Sequence, residues 1–287
     1  MSRISASSYS NTAPLIWSFL YGSGHGRVEI ILDNAPARSA ELLEAGRVDA
    51  ALVPVAAYQT INDVRIVPGV CVGARERVRS VCLISKTERL EEARTVALDV
   101  SSRTSVLLTK IIFREFLGFE PGWRPAAPDI DVMLKDSDAA LLIGDPALKI
   151  AALSEPEAVA TGTPLVVSKL PPDWPVTAGP THRTVFDLAE LWRAHTGLGF
   201  IFAMWMTKKE SVSIDFAAAR DEGLRHVEEI VSNYEPEIGL GREEMLRYLT
   251  ENITYEPDES MLKGMELYFE LAGRHGLIAK NKPLSFV

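Results

Sequence analysis

Two short stretches carry more chemistry than the rest of the chain. Val100-Ser101-Ser102-Arg103-Thr104-Ser105 sets four hydroxyls and a guanidinium where a β-branched run gives way to a helical pattern. Ser7-Ser8-Tyr9-Ser10-Asn11-Thr12 places hydroxyls and a carboxamide between a short apolar start and a helix opening at Pro14. The first N–H groups of a helix lack intrahelical acceptors, and the aligned peptide dipoles put about half a positive charge there. Strand, hydroxyl-rich turn and helix therefore make a cradle for an anion. No glycine lets the backbone of Ser101–Ser105 wrap a polyphosphate, so a carboxylate suits it better. Ser102, Arg103, Thr104 and Ser105 are the candidate binding residues of this turn, and the other offers Asn11 and Thr12, with Asn11 the candidate site residue. Plain helix capping would use the same side chains.

Two further polar positions stand at the ends of apolar runs. Asp145, between Gly144 and Pro146, either caps the helix that Pro146 begins or, facing a cleft, bonds a substrate hydroxyl or moves a proton. Ser80 sits near the start of Val78–Ser85 and reads as a strand serine unless a cleft reaches it. Cofactor signals are absent. His25, His182, His195, His226 and His275 show no His-x-x-x-His or Cys–His spacing, which speaks against a metal. Gly22-Ser23-Gly24-His25-Gly26 follows no strand and has the wrong spacing for a dinucleotide, so it reads as a turn. There is no Walker lysine and no Gly-x-Ser-x-Gly elbow. The expectation is a site that works with its substrate and neutral polar groups, without cofactor or metal. Cys71 and Cys82 lie in apolar runs and read as small core residues. Trp192, Phe200, Phe202 and Trp205 read as core, with one ring available to floor a cleft.

The elements that must position these residues follow from patterning. The 287 residues carry 30 basic and 39 acidic side chains, a formal net charge of −9 that offers no grip on nucleic acid. No stretch reaches the roughly 18 apolar residues of a membrane span, and the start has no apolar leader core, so a cytoplasmic protein is expected. β-branched runs at Arg27–Leu32, Asp49–Val53, Arg65–Val72, Val78–Ser85, Thr95–Val100, Asp138–Ile143 and Phe200–Thr207 predict strands. Helical patterns fill the gaps, as at Pro36–Ala45 and Arg103–Leu117. From Asp215 the alternation stops, and Asp215–Ser232, Arg242–Asn252 and Pro257–His275 read as amphipathic helices.

A weak internal repeat ties the two polar turns together. Each is followed, at similar distance, by the same tetrapeptide: Asp49-Ala50-Ala51-Leu52 and Asp138-Ala139-Ala140-Leu141. Two related α/β lobes would result, residues 1–88 with 201–287 forming the first and 89–200 the second. Ligands of such sheets bind at the carboxyl ends of the strands, so facing lobes would bring all four turns to one cleft. The predicted fold class is thus an α/β two-lobed clamshell with a helical C-terminal segment, resembling type II periplasmic binding proteins.

These stretches also resemble a known family, the chorismate dehydratases of the futalosine route to menaquinone. The likeness runs in order through Ser8-Tyr9-Ser10-Asn11-Thr12-Ala13-Pro14-Leu15, Asp49 to Pro54, Arg79-Ser80-Val81, Ala97 to Ser105, Ala140 to Asp145, and Trp192 through Thr196-Gly197-Leu198 to Phe200 and Trp205. Two positions depart from it: Ser10, where leucine is more common, and Gly199, where the family often has proline. The resemblance implies loss of water from chorismate to give 3-[(1-carboxyvinyl)oxy]benzoate, a carbon–oxygen lyase reaction. Opposed helix-start turns suit the dianionic substrate of such an enzyme. Asn11 and Ser80 would then orient the ring and its enolpyruvyl arm, and Ser102–Ser105 would hold a carboxylate. The proton acceptor would be the substrate's own enolpyruvyl carboxylate, or else Asp145 on the protein side. Rival expectations are a non-catalytic binding protein for an anionic metabolite, the sister 1,4-dihydroxy-6-naphthoate synthase, and a ligand-sensing regulatory domain.

Overall fold

A computed structural model describes residues 1–154 and 183–287; His182 lies outside the described residues. The first part of the chain runs β1 (Ser2–Ser7), α1 (Ala13–Leu20), β2 (Val28–Asp33), α2 (Pro36–Glu44), β3 (Ala50–Pro54), α3 (Ala56–Thr60) and β4 (Arg65–Ala74). It continues with β5 (Val81–Ser85), β6 (Thr95–Asp99), α4 (Thr104–Ile111), β7 (Gly122–Ala126), α5 (Ile130–Lys135), β8 (Ala139–Ile143) and α6 (Gly144–Ser154). After the undescribed stretch come β9 (Thr184–Asp187), α7 (Leu188–Thr196) and β10 (Phe200–Thr207). Four helices close the chain: α8 (Phe216–Arg225), α9 (Val227–Ile238), α10 (Arg242–Arg247) and α11 (Glu259–Arg274). Single π-helical turns extend α4 over Ile112–Phe116 and α10 over Tyr248–Asn252.

The strands form two five-stranded sheets, ordered β2-β1-β3-β10-β4 and β7-β6-β8-β5-β9. In each, three parallel strands are followed by one antiparallel strand that has just arrived from the other sheet. The chain therefore passes twice between lobes, once before β5 and once before β10. The first passage comes earlier than a lobe boundary at residue 88 requires. Val81–Ser85 pairs antiparallel with β8, Val81 facing Ile143 and Ser85 facing Ala139, so these residues belong to the second lobe. The return through β10 and the helical tail places the end of the chain on the first sheet, where α8 packs on α1 and β4, and α11 lies along β10.

The internal repeat is visible in the register. Asp49 and Asp138 each stand just before a wholly buried central strand, β3 and β8. Asp49 Oδ2 accepts from the Arg3 N–H at 2.8 Å, where β1 begins. Asp138 Oδ2 accepts from Arg94 N, Thr95 N and Thr95 Oγ1, all at 2.9 Å, where β6 begins. Each carboxylate thus satisfies an N–H at the start of the neighbouring parallel strand. The apolar residues that follow are covered on both faces, as central strands of a layered α/β sheet must be.

Several elements escape the patterning. β7, Gly-Trp-Arg-Pro-Ala, is a partly exposed edge strand with neither alternation nor an apolar run. β9 has only four residues. The strand in Val78–Ser85 begins only at Val81, just after Arg79, which takes a left-handed φ of 60°. Asp215–Ser232 is two helices, broken at His226, whose ring stacks on Trp17 at 3.8 Å. Cys71 and Cys82 are buried free thiols, as expected of core residues.

Candidate functional site

A cleft of about 530 Å³, counting the open solvent at its mouth, lies between the lobes at the carboxyl ends of β1, β3 and β8. Ser7, Tyr9, Asn11, Thr12, Pro54 and Phe202 line it from the first lobe; Val81, Ser102, Thr104, Ser105, Ile143 and Gly144 line it from the second. Phe202 and Tyr9 are the rings that line it, whereas Trp192 and Trp205 are fully buried in the core. Asn11 and Thr104, from turns in different lobes, therefore meet across one gap.

The first turn is a 3₁₀ helix, Ser10–Thr12, running into α1, with Pro14 in the first turn of that helix. Thr12 uses its hydroxyl on its own backbone, 2.6 Å from the Ser7 carbonyl and 2.8 Å from that of Tyr9. This leaves Asn11 pointing across the lobes: its Nδ2 lies 3.5 Å from Ser80 Oγ, a long donor distance to a buried hydroxyl. Ser10 turns to Asp145. Its hydroxyl donates to Oδ1 at 2.5 Å, and its backbone N–H reaches both carboxylate oxygens at 3.2 Å. Burial raises the Asp145 pKa, and the Ser10 bonds oppose that rise.

Tyr9 completes this contact. Its ring lies over Gly144, where any Cβ would come within 2.6 Å of ring carbon; the φ of 66° at that glycine also disfavours a side chain. Burial first, then the charges of Asp99 and Asp145, push the Tyr9 phenol up to about 12, while Ser101 favours its ionised form. Behind it, Asp99 Oδ1 accepts from Ser101 N at 2.8 Å and Ser101 Oγ at 2.6 Å. Burial raises the Asp99 pKa.

The second turn divides its hydroxyls between the fold and the cleft. Ser102 Oγ accepts from Ser105 N at 3.2 Å, the helix-capping bond anticipated for a serine here. Thr104 Oγ1 accepts from Ala56 N and donates to the Phe202 carbonyl, both at 3.2 Å, joining α4 to two segments of the first lobe. Ser105 also faces the cleft. Arg103 points to the rim, its guanidinium 3.9 Å from Glu41 of α2, and is not among the residues lining the cleft. Ser80 stands one contact behind the lining, through Asn11, and Asp145, next to the lining residue Gly144, bonds Ser10, which does not line the cleft.

Three groups went unnoticed in the sequence. Tyr9 lay inside a polar turn read for its hydroxyl and amide residues. Tyr248, whose ring is fully buried, brings its hydroxyl beside Asn11 and Ser80 from the distant helical tail. Asp187 holds the loop before β5, accepting from Val78 N at 3.0 Å and Arg79 N at 2.6 Å. Its other oxygen caps α7 through Ala189 N and Glu190 N. Burial pushes this carboxyl up to about 6 despite those donors. An Asp ahead of Leu188–Thr196 is a signal that could have pointed to the α7 cap, but nothing local points to its hold on the loop before β5. Among the described residues no three His, Cys, Asp or Glu side chains gather to hold a metal, and no helix is long and apolar enough to cross a membrane.

Two crossed α/β lobes, with polar turns facing across the gap between them, define a protein of the periplasmic-binding-protein fold. Solved structures agree. The aliphatic sulphonate binding protein SsuA of Escherichia coli aligns with a TM-score of 0.59 at 15% identity, covering 100% of this chain and 93% of its own. A Candida albicans protein described as having the generic periplasmic binding protein fold aligns with a TM-score of 0.63 at 12% identity, covering 98% and 92%. The chain belongs to the menaquinone biosynthesis family, whose pattern matches residues 2–274. A chorismate dehydratase from Thermus thermophilus is 31% identical over 271 residues, 92% of this chain and 93% of that protein.

Proposed function

We propose that this protein is a chorismate dehydratase, converting chorismate to 3-[(1-carboxyvinyl)oxy]benzoate and water. The observation that carries the reading is the meeting of Asn11 and the Ser102–Ser105 turn across one cleft, in a chain of the menaquinone biosynthesis family. Chorismate is a small dianion, and a cleft with a helix start on either side offers positive potential without a basic protein.

The reaction removes the ring C3 proton and the C4 hydroxyl, and the product ring is aromatic, so the driving force is large. Charge released at C3 passes through the adjoining double bond to the ring carboxylate. Ser105, Ser102 and the opening turn of α4 stabilise that carboxylate, in place before the charge arrives. Asn11 and Ser80 orient the ring and the enolpyruvyl arm. Among the described residues lining the cleft there is no carboxylate and no imidazole. This supports the enolpyruvyl carboxylate of the substrate as the proton acceptor, with the hydroxyl leaving as water after protonation. Asp145, engaged on both oxygens by Ser10, acts as the bond that holds the lobes together. Arg103, beside Glu41 at the rim, adds positive potential at the mouth.

Mixing purified protein with chorismate tests the proposal. The expected result is catalytic growth of benzoate-type ultraviolet absorption, with the product confirmed by mass. Saturable binding of chorismate without turnover would instead assign the protein to the binding function common among clamshells.

A further inference from the structure

Loss of water from chorismate needs two proton transfers. The C3 proton goes to the enolpyruvyl carboxylate, and the C4 oxygen must itself gain a proton, because hydroxide is a poor leaving group. Among the described residues that line the cleft, Tyr9 has the only titratable side chain. Two of the hydroxyls around it are committed elsewhere: Thr12 donates to the Ser7 and Tyr9 carbonyls, and Thr104 to that of Phe202. The remaining ones are serine alcohols, far weaker acids than a phenol.

Tyr9 is also fixed in place. It belongs to the first lobe, yet its ring rests on Gly144 of the second, where a Cβ would come within 2.6 Å of ring carbon. Next to it, Ser10 ties the same turn to Asp145. The ring therefore takes this place only with the lobes together. A phenol ordinarily ionises at about pH 10 and water at about 15.7, so passing a phenolic proton to departing hydroxide is downhill. Burial and the charges of Asp99, at the end of β6, and Asp145, at the start of α6, push the Tyr9 phenol up to about 12, while Ser101 opposes them. The phenol is still a stronger acid than water, and it keeps its proton throughout the neutral range.

We propose that Tyr9 is the general acid of the dehydration, its phenol protonating the C4 oxygen as the carbon–oxygen bond breaks. The inference rests on the dehydratase reading and deepens it. The C3–H electron pair enters the ring, the C4–O pair leaves on oxygen, and that oxygen departs with the Tyr9 proton as water. The phenolate left between two carboxylates is a strong base, and it recovers its proton from the enolpyruvyl carboxylic acid formed at the first transfer.

Tyr9→Phe keeps a ring on Gly144 and removes the proton. The kcat for chorismate falls about 100-fold, as for loss of a general acid, with KM within about threefold of the unsubstituted value. With 3,5-difluorotyrosine at position 9, a stronger acid of nearly the same shape, turnover near neutral pH is restored. The alkaline fall of kcat then sets in at lower pH than in the unsubstituted protein, because the acid gives up its proton earlier. A wild-type kcat in Tyr9→Phe, or an alkaline fall that does not move with fluorination, overturns the proposal. If Tyr9→Phe does not fold, the profile of the fluorinated protein decides. If the unsubstituted protein leaves chorismate intact, the dehydratase reading fails and this role falls with it; equal turnover in the unsubstituted and Tyr9→Phe proteins removes Tyr9 alone.

Discussion

The two lobes are built to one plan and use their cleft-side turns differently. Both have three parallel strands, a fourth strand received from the partner lobe, and an aspartate before the buried central strand. Yet the first-lobe turn spends Thr12 on its own backbone and Ser10 on Asp145, leaving Asn11 as the group aimed across the gap. The second-lobe turn spends Ser102 on capping and Thr104 on the opposite lobe, and brings Ser105 and a helix start to the cleft. A repeated framework thus presents a carboxamide on one side and hydroxyls with a helix dipole on the other. Such asymmetry is suited to a substrate whose two carboxylates have unequal chemical roles.

The comparison is broken most severely at Asn11. Asn11→Ala should lower kcat about 100-fold, the scale of losing one preorganised donor, while Tm moves by only a few degrees. Loss of stability with turnover retained would make Asn11 a framework residue like Thr12. Next comes the loop that carries Ser80. The Asp187 carboxyl has a pKa near 6 in the folded protein against 3.8 as its ordinary value, so the folded state binds the extra proton between those limits. This group's contribution to stability therefore rises as pH falls from above 6 towards 4, by roughly 2–3 kcal/mol at most. Urea unfolding across that range should show the slope in the wild type and a flatter one in Asp187→Asn; equal slopes would place the titration elsewhere.

Smaller effects sharpen the contrast. Ser102→Ala should cost about 1 kcal/mol in urea unfolding through the lost cap and raise KM for chorismate. A stability loss with unchanged KM would leave Ser102 as a cap alone. The smallest change is expected at the lobe-to-lobe bond. Asp145→Asn should raise KM about threefold with kcat nearly unchanged, as for a group holding the lobes rather than reacting. A selective fall in kcat would restore Asp145 to the chemistry. Ser10→Leu, which removes the hydroxyl that donates to Asp145, should reproduce the Asp145→Asn behaviour.

Much of the framework was legible locally. Phe200–Thr207 forms a strand with the predicted ends, and the paired Asp-Ala-Ala-Leu segments fall where the two sheets place equivalent strands. Gly199 illustrates a limit. Its departure from the family pattern carries no local reason, yet a Cβ there would lie 2.6 Å from Met261 of α11. β7 and the break at His226 were hidden for similar reasons, since an edge strand needs no apolar alternation and a stacking partner at Trp17 lies far away in sequence.

Sequence by itself determined seven of the ten strands among the described residues, the polar turns and the repeat, because backbone periodicity and helix-start chemistry depend on near neighbours. It also marked Asn11, Ser80, Ser102, Thr104 and Asp145 by residue type. Only the tertiary structure decided their assignments: Asn11 to Ser80 across 69 positions and Ser10 to Asp145 across 135. Those contacts arise from how two sheets exchange a strand and close on one another. A hydroxyl spent on capping and one offered to a ligand look alike until packing shows which atoms stand opposite.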